Sequence, residues 1–321
     1  MMVRRADYLE QLHRSKGATG VVKVITGMRR CGKSTLVDQF IGDLKADGVD
    51  DDHVFHVNFE SFEGYDLMSP DDLRAELRKL PKDGLVYVLL DEIQDVDDWE
   101  LIVSSLVEAK NCDVYITGSN SDMLSSELST HLSGRFIEID MLPLSFREFL
   151  ELHPGDVEER FVQYLRYGGL PDADPERGDR YCTGYLEGVF NTVLVKDVLS
   201  RLRTDDINKI RSIARFLYSN IGNITNISTI AKGVGLNPGT VERYVEGMES
   251  ALLFYHSEKY DIIGKKLLST NGKFYASDLG LRNMALQGPG TDDISRPLEN
   301  AVYLELIRRG YTVRVGAYRD R

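Results

Sequence analysis

The chain has 321 residues, 42% hydrophobic and 28% charged, a globular balance with enough length for two or three domains. Its 51 acids exceed 39 lysines and arginines, a net charge of −12, so any contact with nucleic acid needs a local basic patch. The longest fully apolar run, residues 85–90, is too short to cross a bilayer, the first residues hold no apolar signal core, and three scattered cysteines suit a reducing compartment. These features exclude a membrane partner and lead to the expectation of a cytoplasmic protein.

Residues 3–16 carry weak helical periodicity through Tyr8, Leu9 and Leu12. Strand and helix patterns then alternate, with strands expected at 21–26, 54–58, 85–90, 114–117 and 136–139 and helices at 33–46, 71–80, 98–109 and 121–132. This alternation predicts a parallel sheet covered by helices on both faces.

Between the first strand and its helix lies Gly27-Met28-Arg29-Arg30-Cys31-Gly32-Lys33-Ser34-Thr35, the G-x-x-x-x-G-K-S spacing of a phosphate-binding loop. Glycines let the backbone curl so that successive N–H groups face an anion, and the helix start adds its positive dipole end. Lys33 brings a full charge to the β and γ phosphates of a nucleotide, and Ser34 is placed to ligate Mg2+. Gly27, Arg29, Arg30, Cys31, Gly32 and Thr35 complete the candidate nucleotide-binding residues. Cys31 reads as a small filler whose oxidation would block nucleotide.

The third strand ends in Asp91-Glu92. Carboxylates at the edge of a core need a task or a partner. Asp91 is the candidate holder of Mg2+ and Glu92 the candidate base that polarises an attacking water. The competing role for both is to cap the strand end and the next turn. After the fourth strand, Thr117-Gly118-Ser119-Asn120-Ser121 offers Ser119, and second Asn120, to sense the γ-phosphate or orient the water. Capping the following helix explains the same residues equally well.

Together with Leu132-Ser133-Gly134-Arg135-Phe136 and Leu142-Pro143-Leu144-Ser145-Phe146-Arg147-Glu148-Phe149, these motifs resemble AAA-type ATP-binding proteins of bacteria and archaea. In these an ATPase core precedes a winged helix and a C-terminal nuclease-like domain of unknown function. The resemblance implies an α/β fold class: a P-loop NTPase parallel sheet with a helical lid, then a winged-helix domain and a truncated C-terminal α/β segment. The implied division is an ATPase core at 1–150, lid at 151–202, winged helix at 203–262 and an incomplete C-terminal domain at 263–321. ATP and Mg2+ are the implied cofactors.

Arg135 is similar to the arginine finger of related ATPases, which stabilises transition-state charge in cis or on the nucleotide of a neighbouring subunit in a homo-oligomer. A structural salt bridge at the sheet edge is the competing role. The stretch Tyr167-Gly168-Gly169-Leu170-Pro171 resembles the Gly-x-Pro element with which signalling NTPases close a lid over adenine, Pro171 offering a flat apolar face. A plain helix stop and turn accounts for it as well.

Residues 203–262 read as a helix-turn-helix with a wing, Asn237 capping the third helix and Pro238 opening it. That helix carries Arg243 against Glu242, Glu246 and Glu249, the wrong sign for phosphate. Positive charge lies in the wing (Lys265, Lys266, Lys273) and ahead of the domain (Lys196, Arg201, Arg203, Lys209, Arg211, Arg215). A protein-contacting or intramolecular winged helix is favoured over DNA readout, with an unnamed protein partner. A DNA-acting ATPase and a non-turnover nucleotide switch are the alternatives to hydrolytic coupling.

After a loop at 288–297, a helix is expected at 298–307 and a strand at 311–315. In the resembled nuclease-like domain a helix glutamate, here Glu299, binds metal with a later Asp and Glu-x-Lys. The chain reaches Arg321 without them, as a trimmed or degenerate end, so nuclease activity is not expected. The six histidines pair with no cysteine at zinc spacing.

Overall fold

The computed structural model describes residues 2–124, 132, 134–202, 206–262, 266–288 and 294–317. Two compact units divide the chain: Met1–Gly27 with Gly32–Met141, and Met28–Cys31 with Leu142–Arg321.

The first unit is a mixed α/β layer built on a five-stranded sheet in the order β2-β3-β4-β1-β5. Its strands are β1 Val22–Thr26, β2 Val54–Asn58, β3 Val86–Asp91, β4 Cys112–Gly118 and β5 Phe136–Asp140. All four pairings are parallel. β1, β3 and β4 are buried along their whole length, whereas the edge strands β2 and β5 are mostly half-buried or exposed. Continuous apolar runs belong in strands covered on both faces. Helices α1 Ala6–Ser15, α2 Lys33–Ala46, α3 Phe62–Tyr65, α4 Pro70–Leu77 and α5 Trp99–Glu108 flank the sheet. Val24, Val88 and Ile116 from the strands share one core with Ile102 and Val103 of α5.

The expected strands begin and end within two residues of the observed ones. The expected helix at 121–132 opens as a 3-10 turn over Ser121–Leu124, and residues 125–131 lie outside the described residues. The one charge in β1, Lys23, is fully buried and pairs with Asp113 on β4. Its Nζ also donates to Ala18 O at 2.7 Å and Val21 O at 3.1 Å, while Asp113 accepts from the Tyr115 hydroxyl at 2.9 Å and from Gly17 N at 2.7 Å. A buried ion pair is tolerable only when its remaining donors and acceptors are satisfied in this way.

The second unit opens with α6 Phe146–Leu152, started by a reciprocal Ser145–Glu148 capping box. α7 Val157–Tyr167 stops at Gly168, whose φ of +80° is open to glycine at little strain. A Cβ on Gly168 would stand 2.2 Å from Asp278 Oδ1, and Gly169 N donates to Asp278 Oδ2 at 2.7 Å. The glycines therefore serve a close approach as well as a turn. α8 Asp179–Thr192 continues into π-helical turns over Val193–Leu199.

Beyond it come α9 Ile207–Ser219, β6 Ile224–Thr225, α10 Ile227–Val234, α11 Pro238–Ser250, β7 Phe254–Asp261, β8 Lys266–Ala276, α12 Leu279–Ala285, α13 Ser295–Arg308 and β9 Val315–Ala317. The sheet runs β6-β8-β7-β9, antiparallel except for the β7–β9 pair. Asn237 caps α11 through its side chain, with Pro238 at the first helical position. Asn300 of α13 is fully buried and pairs with both the N–H and the C=O of Ala276 at 2.8 Å, so its amide acts as an extra strand residue. The strand expected at 311–315 is displaced to Val315–Ala317, because the Val313 carbonyl accepts from the Ser257 hydroxyl at 3.0 Å rather than joining a ladder.

Candidate functional site

β1 ends at Thr26 and α2 begins at Lys33, so the intervening loop is short and must turn sharply. Arg30 at φ 69° and Gly32 at φ 105° make that turn in the left-handed region. It delivers the first turn of α2, whose N–H groups have no intrahelical partners and favour an anion. Lys33 is only 4% exposed, and its Nζ donates to Gly27 O at 3.0 Å and pairs with Glu92 Oε1 at 3.0 Å. Ser34 and Thr35 follow, half-buried.

Asp91 closes β3, and Glu92 comes next at φ 58°. The β3–β4 register sets Leu90 opposite Ile116, which brings Asp91 and Thr117 side by side. The Thr117 hydroxyl donates to Asp91 Oδ1 and accepts the Glu92 N–H at 3.0 Å. Gln94 Nε2 donates to Glu92 Oε2 at 2.7 Å. Asp91 also takes a hydrogen bond from Ser34, while its Oδ2 is buried without a hydrogen-bond partner. Burial pushes the Asp91 carboxyl above its ordinary value, against the hydrogen bonds from Ser34 and Thr117. Lys33, Ser34, Asp91 and Glu92 thus converge at the carboxyl edge of the sheet.

A P-loop fold implies Mg2+. An orphaned carboxylate oxygen beside a serine hydroxyl is the hard-oxygen pair this ion takes from a protein when phosphates and waters complete its shell. Ser34 and Asp91 fit it.

Ser119, 1% exposed, follows the end of β4 at the same edge. Asn120 accepts the Met123 N–H at 3.2 Å and so caps the following turn. Arg135 is not brought to this cluster. Val22 pairs with Phe136 and Thr26 with Asp140, so Arg135 lies at the amino end of β1 and β5, about 20 Å of strand from Gly27. There its Nη1 pairs with Glu108 at 2.7 Å and its Nε donates to Leu132 O at 3.1 Å.

Met28, Arg29, Arg30 and Cys31 group with the second unit. Arg29 is buried and doubly bonded to Asp197, Nη2 to Oδ1 at 3.0 Å and Nε to Oδ2 at 3.2 Å. Asp197 sits in the π-helical stretch, and such turns recur at functional sites. The Ser277 hydroxyl donates to Met28 Sδ at 3.4 Å, Cys31 is buried and Arg30 is exposed. Pro171, half-buried, follows the Gly168-Gly169 pair that rests on Asp278. Burial pushes the Asp278 carboxyl up to about 6 despite several backbone N–H donors.

Asp197 and Thr117 escaped the sequence reading as site residues. The cue for Asp197 was a single acid inside Val193-Leu194-Val195-Lys196-Asp197-Val198-Leu199, a position that burial makes costly without a partner. Thr117 stood in a quoted motif, but only the strand register ties it to Asp91.

Glu299 accepts from Lys273 Nζ and from the Tyr275 hydroxyl, both at 2.7 Å. Burial alone would raise its carboxyl, yet these hydrogen bonds hold it below its ordinary value. The potential metal-ligand trio among the described residues is Asp50, Asp52 and His53 on an exposed loop. There the His53 ring nitrogens already contact Asp52 at 2.7 Å and Asp83 O at 3.1 Å.

A parallel sheet in this order, with a phosphate loop after β1 and an acid pair where β3 ends, is the α/β fold of P-loop NTPases. Residues 20–150 match the model of an AAA domain, and residues 158–292 that of a domain of unknown function. An uncharacterized protein of Haemophilus influenzae is 38% identical over 330 residues, spanning 98% of this chain and 81% of that protein. The chain belongs to the same family as that protein. An uncharacterized protein of Methanocaldococcus jannaschii is 29% identical over 312 residues, spanning 90% of this chain and 67% of its own length. Among solved structures, the replication initiator DnaA bound to AMPPCP and single-stranded DNA is similar at a TM-score of 0.39 and 16% identity, over 78% of this chain and 89% of that one. Among the described residues no helix is long and apolar enough to cross a membrane.

Proposed function

We propose that this protein is a Mg2+-dependent ATPase whose cycle is coupled to its second unit through the Arg29–Asp197 pair. The observation that carries the reading is the buried double hydrogen bond from Arg29 of the phosphate loop to Asp197 of the π-helical stretch. Phosphate drawing in the loop amides would move the backbone on which Arg29 is mounted. A bidentate guanidinium–carboxylate pair tolerates little change of geometry, so the movement is passed to the π-helical stretch.

Lys33 and Glu92 neutralise each other before nucleotide arrives. The β and γ phosphate oxygens of ATP offer Lys33 a stronger partner, and the exchange leaves Glu92 Oε1 open to accept a proton from water. Gln94 keeps Oε2 oriented, and Thr117 ties the Glu92 backbone to Asp91. The water oxygen bonds to the γ-phosphorus as the bond to the β–γ bridging oxygen breaks. ADP departs with that electron pair, and the proton on Glu92 passes to the released phosphate. Mg2+ held by Ser34 and Asp91 would neutralise phosphate charge, and Ser119 would orient the water.

At its end of the sheet, Arg135 serves as a finger only toward the nucleotide of a neighbouring copy, so that role requires a homo-oligomer. Pro171 is the adenine contact of a lid at 151–202, beyond a core at 1–150. The order α9-β6-α10-α11-β7 supports a winged helix at 203–262, with β8 pairing to β7 beyond that bound. The exposed face of α11 carries Glu242, Arg243 and Glu246, which favours a protein surface over DNA as its contact.

Glu92→Gln is the direct test. It is expected to keep affinity for a slowly hydrolysed ATP analogue and to lower turnover by about 10²–10⁴-fold. Unchanged turnover removes Glu92 from the role of base, and a wild type that binds ATP without hydrolysing it makes the protein a binding-driven switch.

A further inference from the structure

The second unit holds a half-open pocket of about 500 Å3 among α7, α8, α9 and α12. That volume lies within the range of small-molecule sites, which are mainly apolar with a few placed polar groups. Leu186 and Phe190 on its wall are buried, and Tyr167 adds a half-buried ring. Three guanidinium groups also line it, and they differ in what they hold. Arg166 pairs with Asp179 at 2.7 Å and stands 5.2 Å from the centre of the Tyr167 ring. Arg211 donates to the Asn191 amide oxygen at 2.8 Å, and neither it nor Arg215 has a carboxylate partner among the described residues.

Two arginines one helical turn apart on α9, with no carboxylate partner among the described residues, are out of keeping with a chain of 51 acids and 39 basic residues. Repulsion between like charges at that spacing disfavours the arrangement unless an anion sits between them. Glu187 is the other acid on the wall and is exposed. Paired guanidinium forks match the oxygens of a phosphoryl group, and the aromatic and aliphatic wall suits an organic body attached to it.

We infer that this cavity is a second ligand site, distinct from the phosphate loop, and that it takes a small aromatic phosphate monoester. The phosphoryl group lies between Arg211 and Arg215, and the organic body lies against Tyr167, Leu186 and Phe190. A nucleic acid strand fits less well. It needs a run of cations along a groove, whereas here Arg211 and Arg215, one helical turn apart, serve a single half-open pocket.

Calorimetric titration of the full chain with phenyl phosphate, with AMP and with a short oligodeoxynucleotide tests the assignment. It is run on the wild type, on Lys33→Ala, and on Arg211→Gln with Arg215→Gln. The expected result is binding that persists in Lys33→Ala and falls by about tenfold or more in the double variant, the loss of a charge-assisted contact. Arg215→Gln alone, at an exposed position, gives the same direction should the double variant fail to fold. The assignment is overturned if neither probe binds the wild type, or if Lys33→Ala abolishes the binding. It is equally overturned if the arginine variants bind as the wild type does, or if only an oligodeoxynucleotide is retained.

Discussion

Asp197→Asn separates a coupling role for Arg29 from a merely structural one. The two side chains are 8% and 5% exposed and share two hydrogen bonds, so the pair is largely shielded from solvent. Removing one partner of such a pair leaves an uncompensated charge and costs about 3–5 kcal/mol. Asparagine keeps one acceptor oxygen and the side-chain volume, which limits the loss to the charge-assisted part, about 1.5–3 kcal/mol. If Asp197 holds Arg29 so that the loop is ready for phosphate, that loss appears in nucleotide affinity as a weakening of about 10–100-fold. Fluorescence anisotropy with a labelled, slowly hydrolysed ATP analogue measures it, beside thermal unfolding as a control for global stability. Arg29→Gln should weaken binding similarly, and the double variant should be no worse than either single one. Affinity within about twofold of the wild type in Asp197→Asn, or effects that simply add, refutes the coupling.

Lys23→Met strands Asp113 in the core of the first unit and should lower stability by about 3–5 kcal/mol; urea unfolding with a midpoint unchanged from the wild type would show that the pair contributes nothing net. Asp278 is protonated more readily folded, with a value of about 6, than unfolded, so its stabilising contribution is full below about pH 4 and is lost as the pH rises through about 6. Over that window the wild type should lose up to about 3 kcal/mol relative to Asp278→Asn, and a difference between the two that stays constant with pH contradicts the assignment.

The strands of the first unit were legible because three of them are mainly apolar runs bounded by polar turns, broken only by Lys23 in β1 and Asp113 in β4 before their polar ends, close to the pattern of strands covered on both faces. Their lateral order was not. It depends on pairings such as Lys23 with Asp113, ninety residues apart, which no local pattern links. In the second unit the Asn237-Pro238 start of α11 was legible for the opposite reason, since a cap and a proline act within one turn. The strand expected at 311–315 went astray because its pattern cannot reveal that a serine from β7 occupies the Val313 carbonyl.

The site divides along the same line. Lys33, Ser34, Asp91 and Glu92 can be read from spacing because phosphate and cation chemistry demands fixed offsets from a strand end. Nothing in that chemistry requires Arg29 to meet a carboxylate 168 residues away, or Gly169 to rest on one 109 residues away. Both contacts bury a charged or titratable group, which a chain retains only where geometry and hydrogen bonding compensate the lost hydration. Of the two, the contact on the phosphate loop lies where the proposed cycle passes its movement on, and the other fixes the turn that precedes Pro171. Local spacing therefore marks where ATP chemistry occurs, and long-range buried charge marks where its consequences are carried.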